Sequence, residues 1–265
     1  MVGRGAWEDG DVHTVGIDLA AQPANTGWCV VDWDARRVID VATNRGGDDE
    51  LVALTCAEGV GLVGIDTPLG WPDAFVDAVA AHHAGRRWPD DDGDPDAHRR
   101  RLRLRRTDEI VGATTGRHPM SVSADRIAVA AMRGARLQQC IADVLGADAV
   151  DRSGCGGRVA ETYPAAALAV WGLPASGYKG TGGADARAGL VEALVVRSGL
   201  RVDDAQRAAM VGSDHLLDAW VCALVARAVL DDATGRPAAA DIDVARREGW
   251  IHVPDAGWSG TPRRG

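Results

Sequence analysis

"HTVGIDLAAQ" (13–22) and "GLVGIDTPLGW" (61–71) share the tetrapeptide Val-Gly-Ile-Asp. Each copy is a short apolar run that ends on a carboxylate, Asp18 in the first and Asp66 in the second. Short apolar runs bounded by turn residues are typical of buried strands. Ligands of open α/β sheets collect outside the carboxyl ends of the strands. If the two strands are parallel neighbours, the two carboxylates therefore lie side by side.

The residues around the first copy predict an antiparallel start to the sheet. "HTVGIDLA", "TGWCVVDW" and "RRVIDVAT" are strand-like and are separated by turns containing Gly, Asn, Pro and Asp. Three closely spaced strands predict a meander. A helix at about 48–58 then leads into the second copy, so the fourth strand can lie parallel to an earlier one through a right-handed crossover. "GRVAETYP" (157–164) predicts another strand, and "REGWIHVP" (247–254) could add a last edge strand.

The rest of the chain is helical or irregular. Helices are predicted at 123–145, 164–171, 185–198 and 213–230. A polar stretch with Pro and Gly at about 84–122 is too long for an ordinary loop, so we expect a functional or mobile insertion. We predict one domain over 13–254, with a flexible N-terminal tail over 1–12 and a C-terminal tail over 255–265.

Composition limits the classes of function. A net charge of −9 over 265 residues argues against a general affinity for nucleic acid, which depends on Lys and Arg. The five cysteines are scattered without a C-x-x-C pair, which predicts reduced thiols and no zinc site. No apolar run reaches about 18 residues and no signal peptide is recognisable, so we expect a cytoplasmic protein that does not enter a membrane. The oligomeric state is left open, with a homodimer among the options.

A third group of carboxylates lies in "SDHLLDAWVCALVARAVL" (213–230). Asp214 and Asp218 are four residues apart, so on a helix they share one face, and like charges at that spacing are destabilising unless a cation binds. A placement at the helix start, where the dipole favours an anion, is sufficient to explain Asp214. It does not explain Asp218, which is flanked by apolar residues. Glu161 closes the apolar strand in "VAETYP" (159–164).

Three or four such carboxylates predict a site for two divalent cations. Hard ions such as Mg²⁺ and Mn²⁺ prefer oxygen ligands, and a pair of them can hold a phosphodiester for hydrolysis. Asp18 or Asp66 alone is adequately explained as a turn or cap residue. The matching strand ends at Asp18 and Asp66 make a shared site the better interpretation.

The order of these features resembles the ribonuclease H-like fold, and the "DHLLDA" helix is similar to a helix of Holliday-junction resolvases in that superfamily. A closer resemblance is to domain-of-unknown-function family 429, described as predicted nucleases of ribonuclease H fold. It rests on "VGIDTPLGWP", "RRTDEIVGATTG", "ETYPAAALAVWGL", "GYKG", "SDHLLDAWVCAL" and "EGWIHVP", and covers about 14–254. The resemblance implies an α/β protein with a mixed five-stranded sheet, three antiparallel strands followed by parallel strands, and flanking helices.

The resemblance also implies roles for individual residues. The metal ligands would be Asp18, Asp66, Asp214 and Asp218. The catalytic residues would be Asp18, Asp66, Asp218 and Glu161. The substrate-binding residues would be Arg105, Arg106, Asp108 and Lys179. In "GIDLAAQPANTGW" (16–28) the turn after the first strand is longer than in the stronger nucleases of the fold, which favours a small substrate over a duplex.

The basic residues each have two explanations. "RRRLRLRR" (99–106) could contact phosphate, since Arg binds phosphate in bidentate fashion, or could be a solvated run neutralised by the preceding "DDDGDPD". Lys179, the single lysine, lies in the glycine-rich "SGYKGTGG" (176–183). It could swing toward a phosphate or simply be an exposed loop residue.

The leading hypothesis is a metal-dependent nuclease or phosphodiesterase that uses Mg²⁺ or Mn²⁺ on nucleic acid or on a small phosphoester. A second hypothesis is a phosphotransferase or ATPase like actin, hexokinase and Hsp70, because "GIDLA" (16–20) resembles their first phosphate loop. The matching second loop, "GIDTPLG" (64–70), is a poor version, and the chain is short for two lobes. A third hypothesis is a catalytically degenerate member of the fold that binds a nucleotide or a protein partner.

Overall fold

The computed structural model describes residues 13–260, so the predicted tail over 1–12 and the last five residues lie outside the described part of the chain. The strands are β1 (His13–Asp18), β2 (Gly27–Asp32), β3 (Arg37–Thr43), β4 (Val60–Asp66), β5 (Val159–Thr162) and β6 (Ile251–His252). They form one six-stranded sheet in the order β3-β2-β1-β4-β5-β6.

The sheet is antiparallel on one side and parallel on the other. β1 pairs antiparallel with β2, and β2 with β3, whereas β1–β4, β4–β5 and β5–β6 are parallel. This confirms the predicted α/β class and mixed sheet and is consistent with a ribonuclease H-like arrangement. The sheet has six strands rather than five because "IH" in the 247–254 segment adds the edge strand β6.

Ten α-helices surround the sheet within the described residues. They are α1 (Asp48–Thr55), α2 (Asp73–His83), α3 (Pro95–Arg103), α4 (Arg106–Thr115), α5 (Ala128–Leu145), α6 (Pro164–Val170), α7 (Ala184–Ser198), α8 (Asp204–Gly212), α9 (Asp214–Leu230) and α10 (Ile242–Glu248). The polar 84–122 stretch contains α3 and α4. No residue of α3 is buried. Its start is fixed by the Asp94 side chain, which accepts a hydrogen bond from the Ala97 N–H at 2.9 Å.

The two faces of the sheet carry different helices. Cys29, Val31 and Val38 pack with α6, α7, α8 and α9 on one face. Val15 and Ile17 pack with α1 and α5 on the other. Thirteen of the seventeen residues of α9 are buried, and a helix that is apolar on every side must be enclosed in this way. α9 is therefore the central helix of the fold, covered by the sheet on one side and by α6, α7 and α8 on the other.

Glycines bring α9 into direct contact with the strands. A Cβ atom on Gly16 would overlap the backbone oxygen of Ala219, and a Cβ atom on Gly64 would overlap the backbone oxygen of Cys222. Gly16 and Gly64 pair in register between β1 and β4. These are the glycines of the two Val-Gly-Ile-Asp copies. The tetrapeptide is repeated because each strand needs a glycine where the backbone of α9 lies against it and an aspartate at its end.

Replacing Gly64 by alanine is expected to lower the free energy of unfolding by about 2–3 kcal/mol, because α9 must move away from the sheet to admit the new methyl group. Chemical denaturation would measure the change. Gly189 is the matched control: it lies in α7, is exposed, and has open space where a Cβ would be. Gly189→Ala should stabilise the protein by about 0.5–1 kcal/mol through helix propensity. Equal stability of Gly64→Ala and the wild type would contradict the close contact.

The chain continues beyond residue 254 along the same core. Trp258 is 3% exposed, its ring stacks on Trp171 at a centroid distance of 5.6 Å, and its indole N–H donates to Asp231 at 3.0 Å. Within residues 13–260, no single helix is long and apolar enough to cross a membrane; α8 and α9 reach that length only together, as a pair bent by 114°.

Candidate metal centre

Three carboxylates meet at the carboxyl end of the sheet. Asp18 ends β1, Asp66 ends β4, and the two pair in register. Asp218 comes from the second turn of α9. Each residue offers one oxygen, and the three oxygens lie within 4.8 Å of one another. Side chains alternate between the faces of a strand, so both strand aspartates lie on the face of Gly16 and Gly64, where α9 lies. The glycine contact therefore places Asp218 beside them.

Asp218 is the most enclosed of the three, with 1% of its side chain exposed. Its Oδ1 accepts a hydrogen bond from Tyr178 Oη at 2.8 Å, and its Oδ2 lies 2.7 Å from Lys179 Nζ. Burial raises the pKa of Asp218 to about 6; Lys179 opposes the rise and the negative charge of Asp18 adds to it. Asp218 is therefore held by one neutral and one cationic partner.

Asp18 and Asp66 have different surroundings. Burial raises the pKa of Asp66 well above its usual range, and the negative charge of Asp18 raises it further. The Oδ2 atom of Asp18 lies 2.5 Å from Nδ1 of His215, and this hydrogen bond raises the pKa of the imidazole. His215 is three residues before Asp218 on α9, so both side chains lie on one helix face.

Crowded carboxylates of this kind are suited to a divalent cation. Ionising both Asp66 and Asp218 beside Asp18 is unfavourable without positive charge, as their raised pKa values indicate. Lys179 supplies one positive charge to this cluster. Oxygen ligands from three aspartates match the preference of hard cations. The Asp18–Asp66–Asp218 group could therefore hold a metal ion.

Glu161 lies outside this group. It pairs in register with Ile65, the residue before Asp66, so its side chain is on the opposite face of the sheet from Asp66. There its two oxygens lie 2.6 and 2.7 Å from the Nη2 and Nη1 atoms of Arg105. The backbone N–H of Leu69 donates to the same carboxylate at 2.9 Å.

Arg105 and Asp108 belong to the same buried cluster as Glu161. Arg105 is 1% exposed, and its Nη2 and Nε atoms donate to the Asp108 carboxylate at 2.8 and 3.1 Å. The cluster links the start of α4 to β5 through one guanidinium and two carboxylates. Arg105, Asp108 and Glu161 are thus brought together, but apart from the three aspartates, and their placement favours a structural role over a substrate contact.

The two other sequence candidates also lie outside the aspartate group. Asp214 accepts a hydrogen bond from the backbone N–H of Gly180 at 3.0 Å and lies in the first turn of α9, where the helix dipole favours an anion. Arg106 is 48% exposed and forms an ion pair with Asp241 at 3.0 Å. Lys179, by contrast, is in direct contact with the aspartate group.

Three residues at or beside the centre were not predicted. His215 shares a helix face with Asp218, and the spacing of the two residues in "HLLD" (215–218) could have predicted this. Tyr178 adjoins Lys179, but nothing in the sequence indicates that its hydroxyl reaches Asp218. Arg133 of α5 donates from Nη1 to the Ala20 oxygen and to Thr26 Oγ1, both at 2.7 Å. It fixes the long turn that follows Asp18.

Comparison with known proteins identifies a family. The family model described as "Protein of unknown function (DUF429)" matches residues 16–242. No curated protein and no solved structure matches the chain. The matched range includes all three aspartates of the centre, together with Tyr178, Lys179 and His215. Because the match spans most of the chain, the protein belongs to the DUF429 family.

Proposed function

We propose that the protein is a metal-dependent hydrolase of phosphodiesters and that Asp18, Asp66 and Asp218 hold Mg²⁺ or Mn²⁺. The observation that carries the proposal is the approach of three carboxylate oxygens within 4.8 Å at the carboxyl edge of the sheet. When bound there, such a cation would lower the pKa of a water molecule and polarise a phosphoryl oxygen.

The surrounding residues support this centre. His215 holds the Asp18 carboxylate in one orientation through the 2.5 Å contact, and Tyr178 does the same for Asp218. Partners of this kind orient ligands and tune their basicity. All of these residues lie on β1, β4, α9 or the adjoining Tyr178–Lys179 segment, so the centre is built largely on regular elements of the fold.

The charge distribution favours a small phosphodiester or a nucleotide as substrate. In the basic run 99–106, Arg99 pairs with Asp96, Arg101 lies 3.8 Å from Asp92, and Arg106 pairs with Asp241. Arg105 is buried in its own ion cluster. Four of the six arginines in this run are therefore paired or buried, which weakens the case for a basic ridge that binds a duplex, and the net charge of −9 agrees with that.

A phosphotransferase is less well supported. A phosphotransferase would need "GIDTPLG" (64–70) as its second phosphate loop. In this segment a Cβ atom on Gly70 would overlap the backbone oxygen of Arg247. This glycine therefore packs against the end of α10 and does not leave its backbone open to a phosphate.

The wild-type protein is expected to bind Mn²⁺ in isothermal titration calorimetry and to hydrolyse bis(p-nitrophenyl) phosphate only when Mg²⁺ or Mn²⁺ is present. Single-stranded and duplex oligonucleotides should be cleaved more slowly than the small diester, since most arginines of the 99–106 run already have carboxylate partners. Absence of cation binding would contradict the proposal and favour a degenerate member of the fold. Thermal stabilisation by ATP, but not by the cation alone, would favour the phosphotransferase.

A further inference from the structure

We propose that Lys179 is an internal cation that exchanges with the divalent ion. On metal entry its ammonium leaves Asp218 and binds a phosphate group of the substrate, so that cation binding and anion binding are coupled. This inference rests on the metal centre proposed above and specifies how Lys179 would pass from that centre to the substrate.

The first support is the place that Lys179 occupies. Tyr178 donates to Oδ1 of Asp218, so Oδ2 is the oxygen without a hydroxyl donor and the better ligand for a cation. Lys179 Nζ lies 2.7 Å from this same oxygen. An ammonium and a divalent ion bound to one oxygen repel each other strongly, so each would weaken the binding of the other. Metal entry therefore displaces the ammonium.

The second support is an asymmetry of exposure. Asp218 is 1% exposed and is fixed on the central helix α9, whereas the Lys179 side chain is 56% exposed. Moving the carboxylate would require moving a buried helix. Moving the ammonium requires only rotation of a flexible side chain into solvent. The lysine is thus the partner that moves.

The third support is the backbone around Lys179. The carbonyl oxygens of Tyr178 and Gly180 accept hydrogen bonds from Arg187 Nη1 at 2.6 and 2.8 Å. The Gly180 N–H is bound to Asp214. Both neighbours of Lys179 are therefore fixed, and the released ammonium stays at the rim of the centre. A phosphate group bound to the cation would be a new anionic partner for the ammonium there.

Calorimetric titration with Mn²⁺ at about pH 8, which is above the ordinary pKa of a carboxyl group, tests the exchange. Lys179→Met removes the competing charge and should bind Mn²⁺ about tenfold more tightly than the wild type. Lys179→Arg keeps the charge and should resemble the wild type. Arg87→Met is the matched control, since it removes one positive charge from an exposed residue that pairs with Asp90. It should leave the affinity unchanged.

The second arm of the test uses inorganic phosphate as the anion, titrated with and without saturating Mg²⁺. The wild type should bind phosphate with Mg²⁺ and not without it, and Lys179→Met should lose about tenfold in the Mg²⁺-dependent affinity. Equal or weaker Mn²⁺ binding by Lys179→Met would overturn the exchange, and unchanged phosphate binding would overturn the transfer to substrate. A wild type that binds no Mn²⁺ would overturn the proposed function itself.

Discussion

Asp66→Asn is expected to lower the affinity for Mn²⁺ by at least about 100-fold, because it removes one of three charged ligands from the centre. Hydrolysis of phosphodiesters should be lost with it. Asp18→Asn should behave in the same way. Calorimetry and a hydrolysis assay would measure the two effects.

The same variant is expected to fold at least as stably as the wild type in the absence of metal. Because burial and the charge of Asp18 raise the pKa of Asp66, ionising this carboxyl is less favourable in the folded than in the unfolded protein. Stability from this group therefore falls as pH rises through its folded-state pKa. Asparagine carries no charge at any pH, so Asp66→Asn removes the penalty. Denaturant unfolding near neutral pH would measure the difference.

Asp214→Asn tests whether a loss of Mn²⁺ affinity comes from removing a metal ligand or only from removing a nearby negative charge. Asp214 contacts the Gly180 N–H and lies outside the group of three, although it is only four residues from Asp218. The variant should keep its Mn²⁺ affinity within a few-fold of the wild type. A loss as large as that of Asp66→Asn would contradict the ligand set and restore Asp214 to it. Full activity of Asp18→Asn and Asp66→Asn would refute the metal centre.

Arg105→Met is expected to lower the free energy of unfolding by about 3–5 kcal/mol, because the carboxylates of Asp108 and Glu161 stay buried without their partner. Urea or guanidinium unfolding would measure this loss. The neighbouring Arg106 is the matched control, since it is half exposed and its ion pair with Asp241 is solvated. Arg106→Met should cost less than about 1 kcal/mol.

A double variant tests the cause of that loss. Arg105→Met combined with Glu161→Gln removes one of the two stranded charges, so part of the lost stability should return. A double variant less stable than Arg105→Met would contradict the electrostatic explanation and favour lost packing of the arginine stem.

The fold could be predicted from the sequence where apolar pattern and chain order act together. The strands and the buried helix at 213–230 follow from local pattern, whereas the parallel pairing of the two Val-Gly-Ile-Asp copies follows from the chain order, in which a helix precedes the second copy. The polar helices could not be predicted in this way. α3 has no buried residue and begins at the Asp94 cap, so no buried apolar stripe marks this helix in the sequence.

The candidate site was predictable in part for a similar reason. Asp18 and Asp66 end two strands with the same pattern. The two strands pair in register, so both side chains lie on one face of the sheet. Glu161 also ends a strand, but a shift of one residue in register moves a side chain to the other face of the sheet. The pairing of Glu161 with Ile65 places its side chain on the face opposite Asp66. No pattern within "VAETYP" indicates that pairing. Burial of Arg105 likewise depends on contacts 56 residues away along the chain.

The glycine contact between α9 and the strands has a consequence for tolerance to mutation. The spacing of the three aspartates is set by main-chain atoms of β1, β4 and α9, which meet without intervening side chains. Leu224 packs in the cluster with α6, α7 and α8 and takes no part in the glycine contact, so exchanging it for a residue of similar volume is expected to leave that spacing unchanged. We therefore expect exchanges in that part of the core to change stability more than ligand geometry, whereas a side chain at Gly16 or Gly64 would change both.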